Sequence, residues 1–288
     1  MTAAHRPRRS ALYMPASNAR AIEKAKTLAC DVVILDLEDA VAPEAKVEAR
    51  KLAVEAVRAG GFGAREVVIR VNGRDTPWGA ADLGAAAAAG ADAVLVPKVA
   101  SPEDLAHYAA PLVGKTRLWA MIETCQAVFA LDALAQAAAD ARNDVWVIGT
   151  NDLVKEMRCR ARADRAPLVA ALSLAVMAAH AHGVAILDGV YNDIPDQEGL
   201  KAECEQGADL GMDGKSLIHP SHLETANRAF SPTEQAVAWA RTVAAAFAAP
   251  ENAGKNVLKV EGKMVERLHL AEAERLIAIS EAIAALQE

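Results

Sequence analysis

Short β-branched runs alternate with Ala-rich amphipathic stretches through the first 230 residues, and that beat most restricts the folds open to this chain. Strands are predicted at 11–15, 32–37, 67–71, 93–96, 117–122, 145–148, 185–187 and 216–218. Helices are predicted at 18–29, 43–58, 79–89, 102–112, 125–140, 164–182, 196–207 and 221–229. The strand runs are continuously apolar, as strands covered on both faces must be. Gly60-Gly61, Gly90, Gly183 and Gly211 mark turns shortly before strands. Eight β–α units in this span predict a (β/α)8 TIM barrel over residues 1–230 rather than an open sheet. No G-x-G-x-x-G follows a strand, which argues against dinucleotide binding. After Phe230 the beat stops. Helix 232–248, an extended piece at 257–260 and helix 264–286 predict a C-terminal helical lid or oligomerisation segment over 231–288.

Composition narrows the partners. A net charge of −7 disfavours a nucleic-acid surface. No apolar run reaches the roughly 18 residues of a membrane span. Cys30, Cys125, Cys159 and Cys204 lack metal or disulfide-framework spacing, so reduced thiols and a cytoplasmic location are expected. The basic cluster His5-Arg6-Pro7-Arg8-Arg9 fits either a solvated arm or a contact for phosphates on a substrate carrier.

In a barrel the C-terminal ends of the strands open onto one pocket. Those ends deliver Asp36-Leu37-Glu38-Asp39, Arg70, Asn72, Lys98, Glu123, Asp152, Asp188 and His219. The set is rich in acids and holds no evident serine or cysteine nucleophile. Glu123 and Asp152, at the ends of LWAMIETC and VWVIGTNDL, are costly as neighbours without a cation. Mg²⁺ takes one or two protein carboxylates together with substrate oxygens, so a Mg²⁺ site is expected there. Arg70 suits a bidentate grip on a substrate carboxylate, or an ion pair with Asp36 or Glu38. Lys98 fits a pair with nearby acids better than a Schiff base. His219 divides between capping a helix and lining the pocket, and Asp188 leans towards a structural role.

The segments RSALYMPA, DVVILDLEDAVAPEAK, VVIRVNGRDTPWGAADL, AVLVPKV, AMIET, IGTNDL, AILDGVYNDIPDQEGL, GMDGKSLIHPSHL and GKMVE, in this order, resemble the citrate lyase β-subunit family. That family includes malyl-CoA and citramalyl-CoA lyases within the HpcH/HpaI aldolase group. The resemblance implies a Mg²⁺-dependent carbon–carbon lyase acting on a 3-hydroxyacyl-CoA ester to give acetyl-CoA and a 2-oxo acid. It implies Glu123 and Asp152 as metal ligands, with Asp152 also near substrate, and Arg70 as the substrate-carboxylate arginine. Glu38 and Asp39 match an acidic pair beside the metal. Arg8, Arg9 or Arg20 are expected to meet the CoA phosphates, with Arg9 the chosen candidate.

Family members are usually homotrimers or hexamers in which one subunit's C-terminal segment covers its neighbour's site. Here Gly262-Lys263-Met264-Val265 is followed by Glu266 where the family carries aspartate. Glu266 is the expected acid/base, reaching one methylene further. Two other readings fit the resemblance or stand beside it: the acyl-carrier-linked β subunit of a citrate lyase complex, and a silent barrel that only binds CoA esters. An aldolase of free 2-oxo acids is disfavoured by the long C-terminal segment.

Overall fold

The computed structural model describes residues 6–286, so His5 and the outermost residues of the two expected domains lie outside it. The chain divides into two compact units, with one covering Arg8–Phe230 and the other carrying Ser231 onward.

The first unit is a closed barrel of eight parallel strands in sequential order. They are β1 (Ser10–Pro15), β2 (Val32–Asp36), β3 (Glu66–Arg70), β4 (Ala93–Val96), β5 (Arg117–Ile122), β6 (Asn143–Ile148), β7 (Ala185–Asp188) and β8 (Gly214–Leu217). β8 pairs with β1, Ala11 opposite Ser216, and closes the ring. Side chains alternate by twos along each strand. Tyr13, Ile34, Val68, Leu95, Trp119, Met121 and Val147 fill the interior. Leu12, Leu35, Ile69, Val94, Ala120 and Ile148 face the surrounding helices. Continued past the apolar layers, the same inward phase brings Asp36, Arg70, Glu123 and Gly149 to the open rim.

The helical register differs from expectation at three places. Predicted helix 125–140 is two helices, Cys125–Phe129 and Leu131–Ala138. A helix at Thr150–Met157 directly follows β6, and the one predicted at 164–182 begins only at Val169. In the second unit, Lys263–Glu266 is a strand paired antiparallel with Val257–Val260, not the start of a helix. Glu261 and Gly262 turn that hairpin at φ of 48° and 82°. The helix Arg267–Ala285 follows, N-capped by Glu266. Val243, Phe247, Leu258, Val260 and Val265 form this unit's own apolar centre with the helix Glu234–Ala248.

Two buried ion clusters hold the barrel away from its open rim. At the N-terminal end of the strands Arg8 pairs with Glu66 and Arg9 with Asp31, both at 2.7 Å. Outside β7 and β8, Lys215 bonds Asp188 at 3.0 Å and Glu203 at 2.6 Å, while Arg165 reaches Asp188 at 2.7 Å. Asp188 and Lys215 are fully buried, and their charges balance those of Arg165 and Glu203. Lys215 and Arg165 hold the Asp188 carboxyl below its ordinary range against the opposing effect of burial.

Candidate active site

A cavity of about 280 Å³ opens at the C-terminal rim, lined among others by Tyr13, Asp36, Arg70, Glu123, Asp152 and Asn192. A roomier hollow of about 410 Å³ beside Arg74, Leu83 and Tyr108 has no comparable convergence of strand-end acids, so the chemistry is assigned to the rim.

Glu123, in the cavity lining, is deeply buried at 3% exposure. Its Oε1 accepts the backbone N–H of Lys98 at 2.7 Å. Lys98 adopts a left-handed φ of 52°, which aims that amide inward while its side chain stays exposed. The expected contact between Lys98 and the acids is therefore made by its backbone and not by its ammonium group. On the other side of Glu123 lies Gly149, where a Cβ would stand 2.5 Å from both the Cβ and Oε2 of Glu123. Burial pushes the Glu123 carboxyl up to about 7, against the Lys98 amide and reinforced by the negative charge of Asp152. Asp152 is half-buried in the first turn of the helix Thr150–Met157.

Arg70 is the cationic centre. Its Nε and Nη2 grip Asp36 at 2.7 and 2.6 Å, and Nη1 meets Glu38 at 3.0 Å and Asp39 at 3.2 Å. The guanidinium lies 4.6 Å from the centre of the Tyr13 ring. Burial opposes its charge, but the facing acids outweigh burial and hold it well above its ordinary value. Asp36 is fixed in turn by the backbone N–H groups of Glu38 and Ala40. The ion pair with Asp36 is thus one of the two roles expected for Arg70, and the residue lines the cavity as well. Burial pushes Glu38 up to about 8, against Arg70 and reinforced by Asp39, whose side chain is exposed.

Other candidates have different surroundings. Arg9 is 7% exposed and precedes β1, at the barrel end opposite the rim, with both arms on Asp31. It is not available to a phosphate, and the CoA role expected of it is corrected on that ground. Arg8 is buried in the same layer. Arg20, after β1, is exposed. Asn72 bonds Leu37 and Asp82 inside the fold. His219 caps the short turn Pro220–His222 through the N–H of Ser221. Glu266 belongs to the second unit, where its N–H donates to His269 Nδ1 at 2.9 Å. Strand-end reading passed over Tyr13, Met121 and Gly149. The inward alternation from Ala11 to Tyr13 and from Trp119 to Met121 was the available signal.

The donor set fits a hard cation. Glu123 and Asp152 provide carboxylate oxygens with space beside them, which suits Mg²⁺ completed by water and substrate. Among the described residues no group of three or more His, Cys, Asp or Glu is placed to hold a metal, so a closed structural zinc site is not formed. No helix among them is long and apolar enough to cross a membrane.

Known proteins place this architecture. (3S)-malyl-CoA thioesterase of Cereibacter sphaeroides is 50% identical over 98% of this chain and 97% of its own. Citrate lyase subunit beta of Leuconostoc mesenteroides subsp. cremoris is 31% identical over 96% and 94%. CitE of Mycobacterium tuberculosis, solved with magnesium, acetoacetate and coenzyme A, superimposes with a TM-score of 0.78 at 30% identity, covering 97% of this chain and 99% of that one. The half-identical relatives are thioesterases, hydrolases rather than lyases, and the lyase subunit stands much further off. The carbon–carbon lyase expected from the sequence is thereby overturned. The HpcH/HpaI aldolase/citrate lyase model matches residues 9–220, and the chain belongs to that family of enzymes.

Proposed function

We propose that this protein hydrolyses the thioester of a short 3-hydroxydicarboxylic acid carried on CoA, of the (3S)-malyl-CoA type, to the free acid and CoA thiol. The observation that carries the reading is the 50% identity, along nearly the whole of both chains, to a (3S)-malyl-CoA thioesterase. The cavity adds chemical sense, because buried Arg70 in its lining suits an anionic acid half, with Glu38 paired to that arginine.

Glu123 and Asp152 would hold Mg²⁺, which would supply Lewis-acid charge to the oxygens of the bound acid. Arg70, fixed by Asp36, orients the acid's carboxylate through its Nη1 edge, and Asp39 limits how far that edge swings. Glu38, with a carboxyl raised to about 8, takes a proton from the attacking water. The water oxygen bonds to the thioester carbon, the carbon–sulfur bond breaks, and the proton returns to the departing thiolate sulfur. Glu266 of a neighbouring copy is assigned as a second acid/base in this proposal, within a cytoplasmic homotrimer or hexamer. Arg20 takes over the phosphate contact that Arg9 is unable to make.

Thiol release from (3S)-malyl-CoA tests the reading. Free thiol should accumulate with Mg²⁺, stop with chelator, and fall by about 100-fold or more in Glu38→Gln, the span of a general base. Thiol release that is indifferent to both chelator and substitution would sink it.

A further inference from the structure

One strong hydrogen-bond donor in the rim cavity is left with a poor acceptor. Tyr13 is only 8% exposed, and its phenol O–H finds a single partner, the thioether sulfur of Met121 at 3.9 Å. Arg70 Nη1 reaches the same sulfur at 3.7 Å. A thioether accepts hydrogen bonds weakly, so the Tyr13 O–H is poorly satisfied there, whereas Arg70 Nη1 also meets Glu38 at 3.0 Å and Asp39 at 3.2 Å. Burial pushes the Tyr13 phenol far above its ordinary range, with Arg70 acting against it, so the group remains an O–H donor throughout the working pH range.

Packing does not account for the hydroxyl. The Tyr13 ring belongs to the apolar interior of the barrel, and its face carries the Arg70 guanidinium at 4.6 Å. A phenylalanine would fill the same space and keep that stacking. The oxygen is thus an added polar group, buried beside a cation and aimed at the cavity where the substrate's acid half is assigned. An acceptor-only, negatively charged oxygen beside Tyr13 would take its O–H hydrogen bond while facing the Arg70 charge.

We propose that Tyr13 is a further substrate-contacting residue: its O–H donates to a carboxylate oxygen of the acid half held beside the Arg70 guanidinium charge. No proton moves to or from Tyr13. Its part is to orient the acid and to favour ligands with a carboxylate at that point. The assignment rests on the hydrolase reading for the identity of the acid.

Isothermal titration with malate in the presence of Mg²⁺, run on wild type and Tyr13→Phe, is the test. Tyr13→Phe should bind malate about tenfold more weakly or worse, as expected on losing one charge-assisted hydrogen bond. Its thermal midpoint should match wild type, which separates lost recognition from lost folding. Wild-type malate affinity in a folded Tyr13→Phe overturns the subsite, even if wild type hydrolyses malyl-CoA. Weakened malate binding in the variant, with no hydrolysis by wild type, upholds the subsite and overturns the hydrolase reading. Failure of wild type to bind malate overturns the subsite, while thiol release decides the hydrolase reading separately.

Discussion

Replacing Glu123 by glutamine keeps the side chain's shape and leaves Oε1 able to accept the Lys98 amide, but removes the charge. The wild-type carboxyl is displaced by burial from 4.5 to about 7. Between those values the folded protein holds a proton that the unfolded chain has released, so wild-type stability falls as pH rises through the window. Above it the penalty is complete, and at roughly 1.4 kcal/mol per pKa unit it reaches about 3–4 kcal/mol. Glutamine carries no such penalty. In chelator, Glu123→Gln should therefore melt like wild type near pH 4.5 and above it by several degrees at pH 8, taking roughly 2–4 °C per kcal/mol. Mg²⁺ should then raise the wild-type midpoint and leave the variant unmoved, because a ligand stabilises only the state that binds it. Thermal melts across pH 4.5–8, with chelator and with Mg²⁺, decide the matter. Equal midpoints at pH 8 in chelator, or equal stabilisation of both proteins by Mg²⁺, would refute the reasoning.

Other substitutions probe the supports of the site. Gly149→Ala places a methyl 2.5 Å from Glu123 and should cost on the order of 100-fold in hydrolysis through a shift of about 1 Å, measured by steady-state kinetics. Arg9→Ala should lower stability by about 3–5 kcal/mol in denaturant titration by stranding buried Asp31, yet leave KM for the thioester within about twofold. A large rise in KM would restore Arg9 as a CoA contact. Asp188→Ala should also cost about 3–5 kcal/mol, because Lys215 and Arg165 lose their shared partner. The stabilisation from Asp188 should persist above its ordinary 3.8 and fade only as pH drops through its lowered value, which acid titration of the melting midpoint will show.

The barrel was legible because its apolar runs are short, β-branched and evenly spaced, and a side chain's phase follows from counting by twos. Glu123 and Arg70 were legible for the same reason, as polar residues continuing an inward apolar phase. The supports of Glu123 were not. A backbone amide turned by Lys98's positive φ and a glycine chosen for closeness leave no pattern in side-chain chemistry. Arg9 misled because charge alone does not say at which end of a strand a residue lies, and it precedes β1 rather than following it. The Lys263–Glu266 strand was absorbed from Met264 onward into a helix because a four-residue hairpin arm is too short to display a period of two. The reaction itself was the least legible part, since relatives named as a thioesterase and as a citrate lyase subunit both match along nearly the whole chain.

Hydrolysis of (3S)-malyl-CoA in ¹⁸O-labelled water, with products identified by mass, tests the central claim most directly. Malate carrying one solvent oxygen in a carboxylate, in equal amount to free CoA and without glyoxylate, is the predicted result. Acetyl-CoA with glyoxylate and no labelled malate would contradict it.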